Sequence, residues 1–395
     1  MEAPRLASLD QLGPAAPNPT ALAGIAEAAL QQPSVTGVVA GASAIEMPVL
    51  NMTTGGLWRV RGTASLAGSA EPQVPFSAVV KLVQSPLLWQ HIDQVPPHMR
   101  EELALRYPWR TEVQVYASDL GQVLPPGGRL PEIYRVIEVD PQRTAIWMED
   151  VQEHPAATWS DATFTHAAYW LGCLAGSRAV AGLGPQISAA RDADRLRFYL
   201  DGVGRNVFIP GIEGDDLWQV PAVACAATPG LISGLRALAG RAYELADEIV
   251  LLPTFPAHGD ASPQNLLIEN IPTEPDGRTG FVVIDWGMYG GACAGFDLGQ
   301  LLSGWVNEGA MRGRDLYRLE PLCLTAYCDG LAESGAAIAE SVVRRGHALS
   351  MALFTGLSAV ASQRLGEADS DSLRDFMAGR LEMAQFVLDL LAETH

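Results

Sequence analysis

Two short stretches of the sequence place acidic and amide side chains next to apolar runs. In "HGDASPQNLL" (258–267), Asp260 and Asn265 share one loop ahead of an apolar run, and "FVVIDWG" (281–287) leads through an apolar run to Asp285. An acid at the end of a buried strand is costly unless it meets a cation or hydrogen-bond donors. Carboxylate and amide oxygens are the ligands that Mg²⁺ prefers beside phosphates. Asp260 alone is typical of a polar turn, but the combined pattern predicts a site for a nucleotide phosphate and a metal ion.

A phosphate site also needs a basic residue, and Lys81 is a candidate. It lies within the apolar run "SAVVKLV", where an ammonium group needs a partner. Glu112, on the helix predicted next, lies beside the apolar face of that helix and could pair with it. Glu101 and Glu102 are rival partners, although Pro108 separates them from this helix. The alternative is an edge-strand lysine whose ammonium reaches water.

The first predicted hairpin turn offers a second phosphate contact. It reads "NMTTGGLWRV", in which Thr54 and Gly55, with their neighbours Thr53 and Gly56, could present small side chains and backbone N–H groups. The alternative is a plain Gly-Gly hairpin turn.

The elements that would position these residues fall into two regions. Up to about residue 150 the sequence predicts an N-terminal helix (18–32), a helix from Pro108 to Gly121, and strands within 35–50, 56–66, 76–83, 130–140 and 143–151. Beyond 155 helical periodicity dominates, in 161–182, 186–204, 229–251, 312–334 and 338–393, with one β-rich interruption at 257–285. We therefore expect an α+β chain with two domains, 1–150 and 151–395, and a hinge near 149–152.

Composition restricts the possible partners. The net charge of −19, from 26 basic and 45 acidic residues, argues against nucleic acid and suits a cationic small molecule as well as general solubility. The five cysteines form no CxxC pair, which argues against a disulfide framework or a zinc site. No apolar run reaches the roughly 18 residues of a membrane helix, and no secretory signal is evident. We expect a cytoplasmic protein with no membrane partner; the sequence leaves its oligomeric state open.

Taken together, the motifs resemble the aminoglycoside phosphotransferase / choline kinase-type family, small-molecule kinases with a protein-kinase-like bilobal fold. "HGDASPQNLLI" is similar to the catalytic loop of that family, "VVIDWG" to its metal-binding strand end, and "FDLGQLL" to the acid that follows. "VVKLV", "EVQVY" and "IWMEDV" are similar to its nucleotide lysine, the glutamate partner and the segment between the lobes. The match runs in order over most of residues 35–305. The resemblance implies a small antiparallel sheet with one helix in the N-lobe and a larger, mainly helical C-lobe.

The resemblance also implies a role for each matching residue. Asp260 would be the catalytic base that accepts the proton of a substrate hydroxyl. Asn265 and Asp285 would hold Mg²⁺, and Lys81, positioned by Glu112, would bind the α- and β-phosphates of ATP or GTP. Phosphoryl transfer depends mainly on such positioning and on cations, because charge is spread over oxygens in the transition state.

Further residues would support the loop and the nucleotide. His258 would pack and hydrogen-bond within the catalytic loop, and Asp297 would accept backbone N–H groups from it. At the interlobe segment, Met148 would line the adenine pocket, and backbone groups near Glu149 and Val151 could read a purine edge in either ATP or GTP.

Two departures from protein kinases bear on the substrate. The chain has no GxGxxG loop over the phosphates, and Gly259 stands where protein kinases carry a basic residue beside the catalytic acid. The second departure argues against a protein substrate.

The expected function is transfer of a phosphoryl group to a hydroxyl of a small molecule. A sugar-bearing antibiotic of the aminoglycoside or nucleoside type is the favoured acceptor, with resistance or self-protection as the role. The segments 191–206 and 213–216 are acidic candidates for contacting it, although for any single residue there a solvated helix face or loop is the favoured interpretation. Trp159, Trp170, Trp218, Trp286 and Trp305 are candidates for stacking, but most of them are expected to lie in the core. A choline- or sugar-like metabolite, or a catalytically silent nucleotide-binding protein, are the alternatives. A hydrolase is disfavoured because no GxSxG motif is present.

Overall fold

The chain divides into two compact units. A computed structural model describes residues 8–46, 52–67, 73–153, 158–187, 192–269 and 280–394, with only the backbone described at 192–194. The first unit comprises 1–117 and 130–152, and the second comprises 118–129 and 153–395. Residues 118–129 thus group with the second unit, whereas a single division near residue 150 was expected from the sequence.

The strands of the two units range from two to 13 residues in length. In chain order they are β1 (Val35–Ala44), β2 (Thr54–Leu66), β3 (Val74–Gln84), β4 (Gly128–Arg129), β5 (Ile133–Asp140), β6 (Arg143–Glu149), β7 (Thr254–Ala257), β8 (Leu266–Ile268), β9 (Phe281–Val283) and β10 (Gly290–Cys293).

The helices account for most of the second unit. In chain order they are α1 (Pro19–Leu30), α2 (Pro97–Arg106), α3 (Thr111–Ala117), α4 (Leu120–Val123), α5 (Asp161–Gly176), α6 (Arg178–Ile187), α7 (Asp192–Tyr199), α8 (Ile209–Glu213), α9 (Asp216–Gln219), α10 (Pro221–Ala224), α11 (Pro229–Val250), α12 (Phe296–Asn307), α13 (Leu316–Glu333), α14 (Glu340–Ser350) and α15 (Asp371–Glu393).

The first unit is built on one antiparallel sheet of five strands, in the order β1-β2-β3-β6-β5. All five predicted strands are confirmed, and so is the α+β class. β3 is the middle strand, with Lys81 opposite Leu57 of β2 and Ile146 of β6. A residue in the middle of β3 is therefore hydrogen-bonded on both sides, and Lys81 is not on a sheet edge.

Apolar side chains of this sheet point to both of its faces. One face carries Val80, Leu82 and Trp147, which form a core with Leu12 and with Ile25 of α1. The predicted N-terminal helix is confirmed as α1, whose start is capped by the Asn18 side chain accepting the Ala21 N–H.

The opposite face of the sheet packs against α3. Val83, Ile146 and Met148 form its buried cluster, and Val113 and Tyr116 of α3 pack on it. Since side chains alternate along a strand, Lys81 lies on the same face of β3 as Val83 and points towards α3.

Two helices of this region differ from the expectation. The helix expected over Pro108–Gly121 begins only at Thr111 and ends at Ala117, and Leu120 belongs to α4 in the second unit. α2 was not predicted because its sequence is mostly polar, with Leu103 as its one buried residue.

The second unit holds the β-rich interruption that the sequence predicts. β8 pairs with β9 antiparallel, β4 pairs with β9 in parallel, and β7 pairs with β10. The turn expected between the two predicted strands falls on 270–279, outside the described residues. The pairing of β4 with β9 was not expected. It is anchored by Trp170, which donates to the Pro125 carbonyl (3.2 Å) and packs so closely on Gly128 that no Cβ would fit there.

Two predicted helical stretches are interrupted. The 186–204 stretch continues from α7 into a π-helix at Leu200–Phe208, and the 338–393 stretch divides into α14, a π-helix at Met351–Gly356, and α15. Among the helices of the described ranges, none has the length and apolar character needed to cross a membrane.

Candidate active site

In the first unit, Lys81 and Glu112 form a buried ion pair. The Nζ–Oε2 distance is 2.6 Å, and the side chains are 10% and 4% exposed. The Tyr116 hydroxyl donates to the other carboxylate oxygen of Glu112 (3.3 Å). The expected pair therefore forms, and it forms because β3 and α3 present both side chains to the same apolar layer.

The rival partners of Lys81 lie elsewhere. Glu101 and Glu102 are exposed on α2, and Glu102 pairs with Arg106 on the same helix (3.0 Å). The edge-strand alternative also fails, since β3 is the central strand.

The turn residues named from the sequence begin β2. Thr54 pairs with Val83 and its side chain is buried, whereas Gly55 is exposed at a bulge in the β2–β3 ladder. A Cβ at Gly55 would lie 2.6 Å from the Gln84 Oε1, so the end of the Gln84 side chain would have to move to accommodate it. Of the two, Gly55 has backbone that a ligand could approach; Asn51 in the same motif lies outside the described residues.

The interlobe segment combines core and polar residues. Met148 belongs to the buried cluster under α3. Glu149 ends β6, where its N–H donates to the Glu132 carbonyl (2.8 Å) and its side chain accepts the Glu132 N–H (3.0 Å). Val151 follows the strand and is half-buried.

Asp150, in the same segment, was missed by the sequence analysis. Its buried carboxylate accepts from the Nε of Arg59 on β2 at 2.9 Å. The available signal was an acid directly after a mostly apolar strand, since such an acid requires a partner when it is buried.

In the second unit, Asp297 holds the predicted catalytic loop. Its two carboxylate oxygens accept the backbone N–H groups of His258 (2.8 Å) and Gly259 (2.9 Å). These are the hydrogen bonds expected of Asp297. The carboxylate lies in the first turn of α12 and is 3% exposed, so the loop is attached to the start of a helix.

His258 is fully buried and takes part in the same support. Its Nδ1 accepts the Asp260 N–H (3.2 Å), so the proton lies on Nε2, which donates to the Ile284 carbonyl (3.0 Å). One imidazole thus links the residue preceding Asp285 to the backbone of Asp260. Its ring also packs on Trp286, with centroids 4.5 Å apart.

Gly259 has a steric reason to be glycine. Its φ is +85°, and a Cβ would lie 2.1 Å from the Met288 carbonyl oxygen. Any larger residue would therefore require the chain near Met288 to move. This accounts for the missing basic residue beside Asp260.

The three candidate chemical residues are half-buried and linked through the backbone. The Asn265 Nδ2 donates to the Asp260 carbonyl (2.8 Å), and the Ile284 N–H donates to the Asn265 carbonyl (3.0 Å). The bond from Nδ2 leaves the Asn265 Oδ1 as the amide atom that could bind a cation.

Asp285 adopts the left-handed conformation, with φ 59° and ψ 55°. For a residue with a side chain this is costly, and such strain persists only where the surroundings determine it. It turns the chain out of β9 immediately after Ile284.

These residues suit a divalent cation that is also bound by phosphates. In the described part of the chain, no group of three or more His, Cys, Asp or Glu side chains could hold a metal by itself. One carboxylate and one amide oxygen fit the Mg²⁺ preference for a few protein oxygens plus phosphate and water.

A neighbouring tyrosine is structural. Burial raises the pKa of Tyr289 to about 12, so its phenol stays neutral and donates to the Val180 carbonyl (3.4 Å). It supports the segment after Asp285 and is not an acid–base group.

Most of the tryptophans named as stacking candidates belong to the core. Trp170, Trp218 and Trp286 are buried, and each indole N–H donates to a backbone carbonyl of the second unit. Trp159 and Trp305 are half-buried.

One acid in each of the two acidic candidate segments already has a partner. In 191–206, Asp201 accepts from the Tyr243 hydroxyl (2.9 Å), and in 213–216, Asp215 pairs with Arg236 (2.6 Å). Arg195, in the first of these segments, contacts the chain just after Asp285 and was missed because nothing in its local sequence distinguishes it.

Comparison with known proteins finds only distant similarity. No family model and no curated protein matches this sequence. Similar solved structures include an aminoglycoside phosphotransferase from Alicyclobacillus acidocaldarius, with 12% identity, a TM-score of 0.45, and coverage of 89% of this chain and 93% of that chain. An ethanolamine kinase from Plasmodium vivax has 10% identity, a TM-score of 0.47, and coverage of 90% and 84%. A spectinomycin phosphotransferase in complex with ADP and spectinomycin has 10% identity, a TM-score of 0.42, and coverage of 89% and 92%. Similarities at this level carry no argument about activity, which depends on the residues of the site.

Proposed function

We propose that this protein is a Mg²⁺-dependent phosphotransferase that moves the γ-phosphoryl group of ATP or GTP to a hydroxyl of a small molecule. The observation that supports it most is the 258–265 loop. There, backbone hydrogen bonds and the Asp297 carboxylate hold Asp260 and Asn265, and His258 links them to Ile284, the residue that precedes Asp285. The order and spacing of these motifs also resemble the aminoglycoside phosphotransferase / choline kinase-type family.

Each residue then has a chemical task. Asp260 orients the acceptor hydroxyl and takes its proton as the new O–P bond forms and the bond from the γ-phosphorus to the β–γ bridging oxygen breaks, releasing ADP or GDP. Asn265 and Asp285 hold the metal, which when bound neutralises phosphate charge. The Lys81 ammonium, fixed by Glu112, binds the α- and β-phosphates.

The remaining assignments follow from these tasks. Residues 1–150 would bind the nucleotide, through Gly55 at the bulge and the backbone near Glu149 and Val151. Residues 151–395 would supply the chemistry and the acceptor site. The net charge of −19 favours a cationic acceptor, and a sugar-bearing antibiotic is the proposed class.

The decisive test is Asp260→Asn, which keeps the size of the side chain and removes the base. The measurement is ADP or GDP release with a panel of aminoglycosides, nucleoside antibiotics, and choline- and sugar-like alcohols. Loss of the base should lower the transfer rate by about 10²–10⁴-fold while nucleotide binding is kept. Asp247→Asn is the control, because Asp247 is an exposed acid of the same unit that pairs with Arg197.

Unchanged transfer in Asp260→Asn would remove the base assignment. A wild-type protein that binds nucleotide but releases no ADP or GDP, with or without acceptor, would instead favour a nucleotide-binding regulatory protein.

A further inference from the structure

Arg195 on α7 binds the turn that follows Asp285 through two hydrogen bonds from its guanidinium, which we call the Arg195 clasp. Its Nη1 donates to the Met288 carbonyl at 2.6 Å, and its Nη2 donates to the Tyr289 carbonyl at 3.0 Å. Both carbonyls belong to the short stretch between Asp285 and β10. A single guanidinium thus binds two successive carbonyls of the segment on which Asp285 depends.

Two glycines show how closely this clasp is packed. A Cβ at Gly290 would lie 1.7 Å from the Arg195 Nη2, and a Cβ at Gly259 would lie 2.1 Å from the Met288 carbonyl oxygen. The Met288 carbonyl therefore has Arg195 as its donor and the Gly259 backbone against it. Any displacement of this carbonyl acts directly on the residue next to Asp260.

The chemistry of the guanidinium suits this task. It is planar and always charged, and it presents donors in a fixed fork that can bind two acceptors at once. The ammonium of a lysine is a point charge without that fork. The left-handed conformation of Asp285 needs surroundings that determine it, and the clasp supplies them within three to four residues.

We propose that Arg195 is a positioning residue of the phosphoryl-transfer site. It fixes the 286–289 turn. Through that turn it determines the direction of the Asp285 carboxylate and the position of the Gly259 backbone. It touches neither the substrate nor the metal. This inference rests on the proposed function for its consequence in metal binding, but the clasp itself can be tested without any ligand.

Four variants separate the clasp from general stability. Arg195→Ala removes both donors, and Arg195→Lys keeps the charge without the fork. Gly290→Ala keeps Arg195 but places a methyl group where its Nη2 lies, so it should displace the guanidinium. Arg197→Ala is the matched control, because Arg197 lies on the same helix and pairs with the exposed Asp247.

The first measurement is hydrogen–deuterium exchange of the ligand-free protein, read on peptides covering 285–293. Arg195→Ala and Gly290→Ala should each speed exchange there about tenfold, since two hydrogen bonds are lost, and Arg197→Ala should not. The double variant Arg195→Ala/Gly290→Ala should exchange no faster than Arg195→Ala, because both changes remove the same contact.

The second measurement is a Mg²⁺ titration at fixed ATP or GTP, read as nucleotide-dependent thermal protection. Arg195→Ala should raise the Mg²⁺ concentration at half effect by about 10–100-fold and leave metal-free nucleotide binding unchanged. Arg195→Lys should fall between Arg195→Ala and the wild type.

The outcomes distinguish the two proposals. Unchanged exchange in folded Arg195→Ala overturns the clasp, whatever the protein catalyses. Faster exchange with an unchanged Mg²⁺ requirement overturns the positioning role and leaves the proposed phosphoryl transfer untouched. A wild-type protein with no Mg²⁺-dependent nucleotide protection overturns the proposed function and, with it, the role of Arg195 in metal binding.

Discussion

The candidate site residues of the two units are held in different ways. In the first unit, Lys81 and Glu112 meet inside an apolar layer between a sheet and a helix, and their side chains are almost inaccessible to water. In the second unit, Asp260, Asn265 and Asp285 are half-buried. The 258–265 loop is held by backbone N–H groups that donate to the side chains of Asp297 and His258.

Because of this difference, substitutions in the two units should affect stability and activity differently. Removing one member of a buried ion pair leaves the other as an unpaired buried charge, so stability and function should be lost together. A half-buried carboxylate at the end of a strand can lose its charge at little cost to folding, and only the chemistry should suffer. Replacing Asp297 or His258, which hold the 258–265 loop, should lower both stability and activity to an intermediate extent.

The largest effect is expected for Asp285→Asn. Asparagine has the same size and tolerates the left-handed conformation, so the free energy of unfolding should change by less than about 1 kcal/mol. The rate of ADP or GDP release should fall about a thousandfold, because the metal loses its carboxylate. A marked loss of stability would break the comparison, since Asp285 would then be structural.

Glu112→Ala tests the other side of the comparison. The free energy of unfolding, measured in urea, should fall by about 3–5 kcal/mol because the buried Lys81 ammonium loses its carboxylate. The double variant Lys81→Met/Glu112→Leu should recover much of the stability but not the use of nucleotide. If Glu112→Ala is as stable as the wild type, the pair is not held as the first unit suggests.

Asp297→Asn should lower stability and activity together, by a smaller amount. One of its two acceptor oxygens becomes an NH₂ group facing a backbone N–H, which should cost about 2 kcal/mol. Urea denaturation and nucleotide release on the same preparation check this. An activity loss without a stability loss would indicate that Asp297 acts on the substrate and not on the loop.

The smallest effect concerns Glu320, a buried acid of the second unit whose ion pair with Arg344 is long. Its Oε1 is 3.8 Å from the Arg344 Nε, compared with 2.6 Å in the Lys81–Glu112 pair. Burial raises the pKa of Glu320 above its usual value of 4.5. The folded state therefore binds a proton more tightly than the unfolded state, and stability is lost as the pH rises from the usual pKa through the raised one.

Glu320→Gln should remove this loss. At neutral pH the variant should be more stable than the wild type, by under about 1 kcal/mol, and the difference should vanish below pH 4.5. Burial lowers the pKa of His347 to about 4, so His347 makes the free energy of unfolding rise with pH over this range. This contribution is the same in the variant and the wild type, and it cancels when their stabilities are subtracted. A variant less stable than the wild type at neutral pH would mean that the Glu320 carboxylate is well paired.

The features that could be predicted from the sequence are mainly those that depend on residues close to one another along the chain. The loop residues Asp260 and Asn265 lie within one short motif, and Asp285 ends an apolar run, so local spacing was sufficient. Lys81 and Glu112 were also accessible, because a charge in an apolar strand demands a partner and the next apolar helix supplies one. Their ion pair is confirmed, whereas their catalytic roles stay predictions.

Features that depend on distant parts of the chain were not accessible. The left-handed Asp285 and the contact of Arg195 with Met288 and Tyr289 arise from packing between segments far apart in sequence. α2 escaped notice for a different reason, since a helix with one buried residue leaves almost no periodic pattern.

The parallel pairing of β4 with β9 has a consequence for how the protein can be divided and synthesised. The chain enters the second unit at residue 118, leaves it at 129 and returns at 153. A fragment that starts at 153 would lack β4 and leave one edge of β9 open, which invites aggregation. During translation, β4 emerges long before its partner, so the small sheet beside the 258–265 loop cannot close until Phe281 and Val282 have left the ribosome. Truncations at the unit boundary should therefore retain residues 118–129.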